Sequence, residues 1–387
     1  MKFATRCCHR HRVCLPRETF MLKILISSDL HLSDTIWKHR PIFDDSYFAW
    51  RQITELAIEN DVDAVILAGD VLDKQYNVSQ PVHRLVQLVR ALEDRNIPVM
   101  FIQGQHELME KPWIKIGTEA IWLNEKKVKL KISDNKQLTL VGCDFKDRNG
   151  FQEFLASDLA KQADVLVCHQ VWLEFMGEMG KPQASFSDVP KNVKCLITGD
   201  YHQNITQVYR DDLTVISPGS THMRSISEPP DKYVVLMTID NKGKMSLKNI
   251  PLQTREFVHI DLKTSTIDKH VTVLKMLAIK DSSLPELIKK PLVLVSYDAE
   301  QQAIFDQKIM PYADKLHIFS KCKKHGSDDY VYVADEQNVS KVGLLGMLPK
   351  LVPEDSLEYE LALQLLQAGD KPDLTLETWF NEKLKCT

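Results

Sequence analysis

Three short apolar runs constrain this chain most: L-K-I-L-I-S-S from Leu22, A-V-I-L-A-G-D from Ala64 and P-V-M-F-I-Q-G from Pro98. Each is apolar throughout rather than alternating, as expected of a strand buried on both faces. Between them, apolar residues fall at helical spacing: Phe48, Ile53, Leu56 and Ala57 within 45–60, then Val82, Leu85, Val86, Val89 and Leu92 within 79–95. This β-α-β-α-β rhythm implies parallel strands joined by right-handed crossovers.

After about residue 125 the texture changes. KVKLKI and QLTLVGC alternate like antiparallel strands, and ADVLVCHQ, VKCLITGD, ITQVYRD, LTVISPGS and KYVVLMTID follow at short spacing. The first 250 residues therefore read as a large mixed sheet covered by helices. From about 252, R-E-F-V-H-I-D-L, a helical stretch at 267–280 and P-L-V-L-V-S-Y fit a small α/β module ending near 320. The stretch 340–387 holds short helical pieces split by prolines.

Length and charge bound the function. At 387 residues there is room for two or three domains, and a net charge of −4 offers no global basic field for nucleic acid, so any such binding needs a local patch. No run of about 18 apolar residues is present to span a membrane. The eight cysteines are scattered, and Cys143, Cys168 and Cys195 lie in apolar strand-like runs, which suits reduced thiols in a cytoplasmic protein. Residues 1–20 stand apart, with five Lys/Arg, three Cys and one acid. They read as a disordered extension, with a transit peptide or a Cys/His metal knot as alternatives.

The chemistry lies where the runs end. Asp29-Leu30-His31 follows the first run, Gly69-Asp70-Val71-Leu72-Asp73 the second and Gly104-Gln105-His106-Glu107 the third; later runs end in Cys168-His169-Gln170 and Gly199-Asp200-Tyr201-His202. Open α/β sheets place ligands at the carboxyl ends of their strands. In extended chain, residues i and i+2 point the same way, so Asp29 with His31, and Asp200 with His202, can address one ion. The glycines at 69, 104 and 199 let the backbone turn beside these groups. Mixed carboxylate, imidazole and amide donors suit Mn²⁺, Fe²⁺ or Zn²⁺. Two ions about 3.5–4 Å apart would clamp a phosphate and activate a water. Each piece alone has a plainer reading: Asp73 as a helix cap, His169 as an ordinary histidine, Glu107 as a solvated loop charge.

The order of these groups resembles the pattern D-x-H, G-D-x-x-D, G-N-H-[DE], H, G-H-x-H of the calcineurin-like metallophosphoesterase superfamily. The S-P-G-S at Ser217–Ser220 and the R-E-F-V-H-I-D-L beyond it are similar to the SbcD-type nuclease subunit of double-strand-break repair complexes and its phage relatives. The resemblance implies an α/β fold: a two-layered mixed β-sheet sandwich flanked by helices, a small capping domain and a helical tail. It implies a nuclease domain at 21–251, a DNA-positioning cap at 252–335 and an ATPase-docking tail at 336–387. Asp29, His31 and His202 would hold one ion, Asp70 would bridge, and Gln105, His169 and Asp200 would hold the second. His106 would stand beside the scissile phosphate. The family has Asn at 105 and His at 200, so both departures fall on the second ion. A longer amide facing a shorter acid is expected to compensate, giving an oxygen-richer site that favours Mn²⁺, with Mg²⁺ as the alternative.

The implied function is a two-metal DNA exonuclease/endonuclease working as a homodimer with an SbcC-type coiled-coil ATPase. Lys38, Arg40, Arg148 and Arg224 are candidate DNA contacts. Trp172, Phe175 and Met176 are candidates either to wedge a DNA end or to pack beneath a loop. Leu361, Leu366, Trp379 and Phe380 are candidate docking anchors for the ATPase. The alternatives are a phosphodiesterase of small or cyclic nucleotides, and a DNA-end-binding scaffold with a weakened second site.

Overall fold

The structure is a computed structural model that describes residues 21–33, 44–76, 79–210, 212–224, 228–262, 266–279, 284–323 and 330–333. The 1–20 extension, Lys38, Arg40 and the four docking anchors lie outside the described residues. No described helix is long and apolar enough to cross a membrane.

The three opening runs form β1 (Leu22–Ser27), β2 (Ala64–Ala68) and β3 (Val99–Ile102), and β4 (Ile121–Trp122) follows them. All four run parallel side by side. Their apolar residues divide by pleat. Ile24, Ile26, Ala64, Ile66, Ala68, Met100 and Ile102 face one core, while Leu25, Val65, Leu67, Val99 and Phe101 face another. The second core is closed by Trp50, Ile53 and Ala57 of α1 (Asp44–Glu59) and Leu85, Val89 and Leu92 of α2 (Ser79–Glu93). Burial on both faces is why these strands read as unbroken apolar runs.

A second sheet holds β5 (Lys127–Ser133), β6 (Lys136–Cys143), β7 (Val165–His169), β8 (Cys195–Gly199), β9 (Ile205–Arg210) and β10 (Leu213–Ser217). β5 and β6 pair antiparallel, as their alternation predicts, whereas β6, β7, β8 and β10 run parallel. The outer face of this sheet packs on Phe151 and Phe154 of α3 (Arg148–Ala156) and on Trp172 and Phe186. The short α4 (Leu173–Met176) follows Trp172. β11 (Lys232–Ile239) and β12 (Met245–Leu252) then return to the first sheet, with β11 antiparallel to β1.

The strands to 252 thus form two six-stranded sheets, β12-β11-β1-β2-β3-β4 and β5-β6-β7-β8-β10-β9, rather than one large sheet. Leu140, Val165, Val167, Cys195 and Ile197 of the second sheet meet Ile24, Ile66 and Met100 of the first in a shared core. This is the two-layered mixed sandwich flanked by helices. Periodicity along a strand shows which side chains share a face, but not which sheet a strand joins.

Among the described residues the chain divides into two compact units. The larger runs to Phe257 and takes back 284–290; the smaller holds Val258 to 279 and Pro291 onward. The smaller unit contains β13 (Phe257–Asp261), α5 (Ile267–Ile279), β14 (Leu292–Asp298), α6 (Gln302–Lys308), β15 (His317–Lys323) and β16 (Tyr330–Val333). Its four strands lie in sequence order around a core that includes Ile260, Leu274, Val293, Val295 and Phe305.

Candidate metal centre

Parallel β1, β2 and β3 end at one edge of the first sheet, and parallel β7 and β8 end together in the second, with His169 in register with Gly199. The loops after β1 and β2 are zipped together. Asp29 N donates to Gly69 O at 3.0 Å, His31 N to Asp70 O at 2.8 Å and Leu32 N to Val71 O at 2.8 Å. Four site residues hold the left-handed backbone that side chains disfavour: Asp29 (φ 50°), His31 (41°), Asp70 (49°) and Asp200 (75°). Such residues cost about 1–3 kcal/mol each and cluster where function over-determines them.

The glycines were expected as turn residues. Gly69 is one, at φ 88°. Gly104 and Gly199 are required by crowding instead. A Cβ on Gly104 would stand inside the Asp70 carboxylate, and one on Gly199 would meet Ala68 O and the His169 ring.

All seven residues expected as ligands come together. His31 Nε2 lies 3.5 Å from Asp70 Oδ2, 3.9 Å from Asp29 Oδ1 and 3.3 Å from His202 Nε2. His169 Nε2 lies 3.4 Å from Asp70 Oδ2, 3.9 Å from Asp29 Oδ1 and 3.8 Å from Asp200 Oδ1. His202 Nε2 is 3.6 Å from Asp29 Oδ1. Gln105 joins through its amide, with Nε2 donating to Asp200 Oδ1 at 2.5 Å. Asp29, His31 and His202 form one compact trio of donor atoms; Asp29, Asp70 and His169 form another. Asp70 also groups with His31 and His106.

The rings are anchored by their outer nitrogens. His169 Nδ1 donates to Ala68 O at 2.8 Å, His202 Nδ1 to Glu228 Oε1 at 2.8 Å and His106 Nδ1 to Asp73 O at 3.1 Å. Each bond leaves an Nε2 lone pair for another partner. His106 differs from His31 and His169 in being 38% exposed.

Asp29 Oδ2, Asp70 Oδ2, His169 Nε2 and Gln105 Oε1 are buried without a hydrogen-bond partner. Orphaned buried acceptors are costly, and a cation is the partner this donor set lacks. Electrostatics agree. Burial alone would lower His169, yet Asp70, Asp29 and Asp200 push it up to about 10. Burial raises Asp29 above its ordinary value against the pull of His169 and His202. Burial and the nearby Arg224 hold His31 well below its ordinary value, so the carboxylate pull is strongest around His169; the clustered carboxylate and imidazole atoms fit divalent ions.

Several residues here escaped the sequence pattern. Glu107 is buried rather than solvated, and its two oxygens accept from Val71 N at 3.0 Å and Leu72 N at 2.7 Å, bracing the Asp70 loop. Burial and the neighbouring Asp70 charge push its carboxyl up to about 8. Its place directly after His106 was the available signal. Asp144 accepts from Gln103 N at 2.8 Å and Trp122 Nε1 at 3.0 Å, holding the start of the Gln105 loop. Glu228 had no local signal at all.

Other expectations resolve as follows. Trp172 is fully buried, with Nε1 donating to Thr198 Oγ1 at 2.8 Å, so it packs in the core and cannot wedge a DNA end. Phe175 stacks on Tyr201 at 4.6 Å, and Met176 is exposed. Asp73 precedes α2 by several residues and caps nothing there; it pairs with Arg224. Arg148 is exposed at the start of α3.

This geometry defines a class. Residues 22–204 match the calcineurin-like phosphoesterase family, and the chain carries that metallophosphoesterase domain, a fold of metal-dependent phosphoesterases. Among curated proteins, the DNA double-strand break repair protein Mre11 of Methanosarcina acetivorans is 26% identical over 261 residues, covering 64% of this chain and 41% of that protein. The Mre11 of Halobacterium salinarum is 24% identical over 257 residues, covering 64% and 65%. The aligned part thus spans less than two thirds of either relative. Among solved structures, TT1561 of Thermus thermophilus is similar at 12% identity and TM-score 0.39, covering 59% of this chain and 99% of that one. A dimetal phosphatase from Danio rerio is similar at 11% identity and TM-score 0.38, covering 60% and 99%.

Proposed function

We propose that this chain is a two-metal DNA nuclease subunit of an SbcCD-like repair complex. The observation that carries the reading is the set of buried donor atoms without partners, Asp29 Oδ2, Asp70 Oδ2, His169 Nε2 and Gln105 Oε1, gathered from separate strand ends. The repair-protein names of the relatives favour DNA over small phosphodiesters.

In this reading Asp29, His31 and His202 hold one ion, Gln105, His169 and Asp200 hold the other, and Asp70 bridges. Ions bound there would clamp a phosphodiester and supply a nucleophilic water near neutral pH. Asp200 holds the Gln105 amide by its nitrogen, and the amide oxygen, buried without a partner, is left free for an ion. In this reading the longer amide and the shorter acid would compensate in that way, and the added oxygen donors would favour Mn²⁺, then Mg²⁺. His106, tied by Nδ1 to the Asp73 carbonyl and partly exposed, turns Nε2 to the scissile phosphate, where its doubly protonated form would stabilise the transition state or protonate the leaving sugar oxygen. Arg148 can contact the DNA backbone, whereas Arg224 already spends part of its guanidinium on Asp73. The smaller unit would position DNA, with residues 336–387 docking a coiled-coil ATPase and two chains forming a homodimer.

The test is cleavage of end-labelled duplex and single-stranded DNA with Mn²⁺ or Mg²⁺, beside cyclic nucleotides. DNA cleavage that Asp70→Ala removes is expected. Hydrolysis of cyclic nucleotides with DNA left intact would replace this reading by the small-substrate one, and DNA binding without cleavage would favour the scaffold.

A further inference from the structure

The Ser217–Ser220 stretch supplies no ligand, yet it grips the loop that does. Ser217 Oγ donates to the carbonyl oxygens of Tyr201 at 3.1 Å and Gln203 at 3.2 Å. Asn204 Nδ2 donates to Pro218 O at 3.1 Å, and Ser220 N donates to His202 O at 3.2 Å. Gly219, at φ 80°, passes so close that a Cβ would stand 3.0 Å from His202 O. The backbone on both sides of His202 is therefore held from beneath.

The ring is held separately. Glu228 Oε1 accepts from His202 Nδ1 at 2.8 Å. Glu228 Oε2 accepts from Ser220 Oγ at 2.8 Å and Lys232 Nζ at 2.8 Å. Lys232 Nζ also donates to Ser220 Oγ at 2.7 Å, and this lysine is only 2% exposed. Lysine is almost never this buried unless paired. Here its partner is the acid that faces a candidate metal ligand.

His202 is the ligand with most need of such a brace. The His31 and His169 side chains are wholly enclosed, and His169 is also tied to the Ala68 carbonyl, whereas that of His202 is 27% exposed. We infer that Glu228, itself held by Lys232 and Ser220, is a positioning residue that locks the His202 ring with Nε2 toward the first ion. By accepting the Nδ1 proton it sets the tautomer and prevents the ring from swinging to solvent. The inference rests on the two-ion reading proposed above.

The test is Mn²⁺ binding by calorimetry, with electron paramagnetic resonance of the bound ions, on the full chain. Glu228→Ala should weaken one of two Mn²⁺ by about 10–100-fold, leave the other, and turn a spin-coupled pair into an isolated ion. Glu228→Ala also strands Lys232, so thermal stability in chelator should fall. The double variant Glu228→Ala/Lys232→Met removes both charges. Its stability should recover while the weak ion stays weak. Recovery of metal affinity together with stability, or unchanged affinities in Glu228→Ala, would overturn the inference. A wild-type chain that binds one Mn²⁺ would instead overturn the two-ion reading itself.

Discussion

The two sides of the pocket are built differently. On the proposed first-ion side, His202 has an acid bonded behind it, Nδ1 donating to Glu228 Oε1 at 2.8 Å, while Asp73 Oδ1 stands 3.5 Å from His31 Nδ1 without a hydrogen bond. On the proposed second-ion side, the one imidazole is backed by a backbone carbonyl, and the other two groups, Gln105 and Asp200, hold each other. A carboxylate behind an imidazole makes it a stronger and better-aimed donor. The first side therefore stiffens His202 through other residues, while the second relies on mutual contact between its own. A change on the second has nothing behind it but backbone.

Asp70 belongs to both sides, so its loss should erase the distinction. Asp70→Ala should reduce hydrolysis to background and abolish binding of both Mn²⁺ in calorimetry. Retained binding of either ion would show that the sides do not share it. His106 should separate chemistry from both sides. His106→Ala is expected to keep both ions while slowing turnover by about 10²–10⁴-fold. Because Asp70 Oδ2 lies 3.9 Å from His106 Nε2, loss of an ion in that variant would make His106 a ligand instead. Gly104→Ala is expected to act on both sides at once through the Asp70 carboxylate it would crowd. Destabilisation of about 1–3 kcal/mol and weaker binding of both ions should appear in thermal melts and calorimetry.

What could be read from the sequence follows the same division. The βαβαβ start and the polar groups ending each strand are local signals, so Asp29, Asp70, His169 and His202 could be named before any fold was known. The two-layered sandwich followed from motif order, because periodicity alone left β5 to β10 as part of one sheet. Glu228 and Lys232 could not be found that way, since their meaning depends on a return from β10 into β11 that brings Glu228 against His202 and Lys232 against Glu228. Glu107 was visible but its role was not: a carboxylate in a loop can be a solvated charge or part of the site until the loop is known to fold over Asp70. Trp172 was half-judged for the converse reason, because a mouth position and a core position look alike in sequence when the strand end is close to both.

The Gln105–Asp200 pair gives the finest test of the contrast. Each residue departs from the pattern that the resemblance implies, and a hydrogen bond from Gln105 Nε2 to Asp200 Oδ1 at 2.5 Å joins them. Gln105→Asn should pull the amide back from Asp200, freeing its oxygen from a fixed direction. Asp200→His should place a bulkier ring against the Gln105 amide. Each single change is expected to weaken the second Mn²⁺ and leave the first unaltered. The double change Gln105→Asn/Asp200→His should restore binding, with a coupling of about 0.5–3 kcal/mol in the double-mutant cycle. It should also shift preference toward Zn²⁺, because a nitrogen donor replaces an oxygen. Additive losses with no recovery would mean that the two residues hold each other for the fold and not for an ion, and the second side would then be a structural pair beside a one-metal centre.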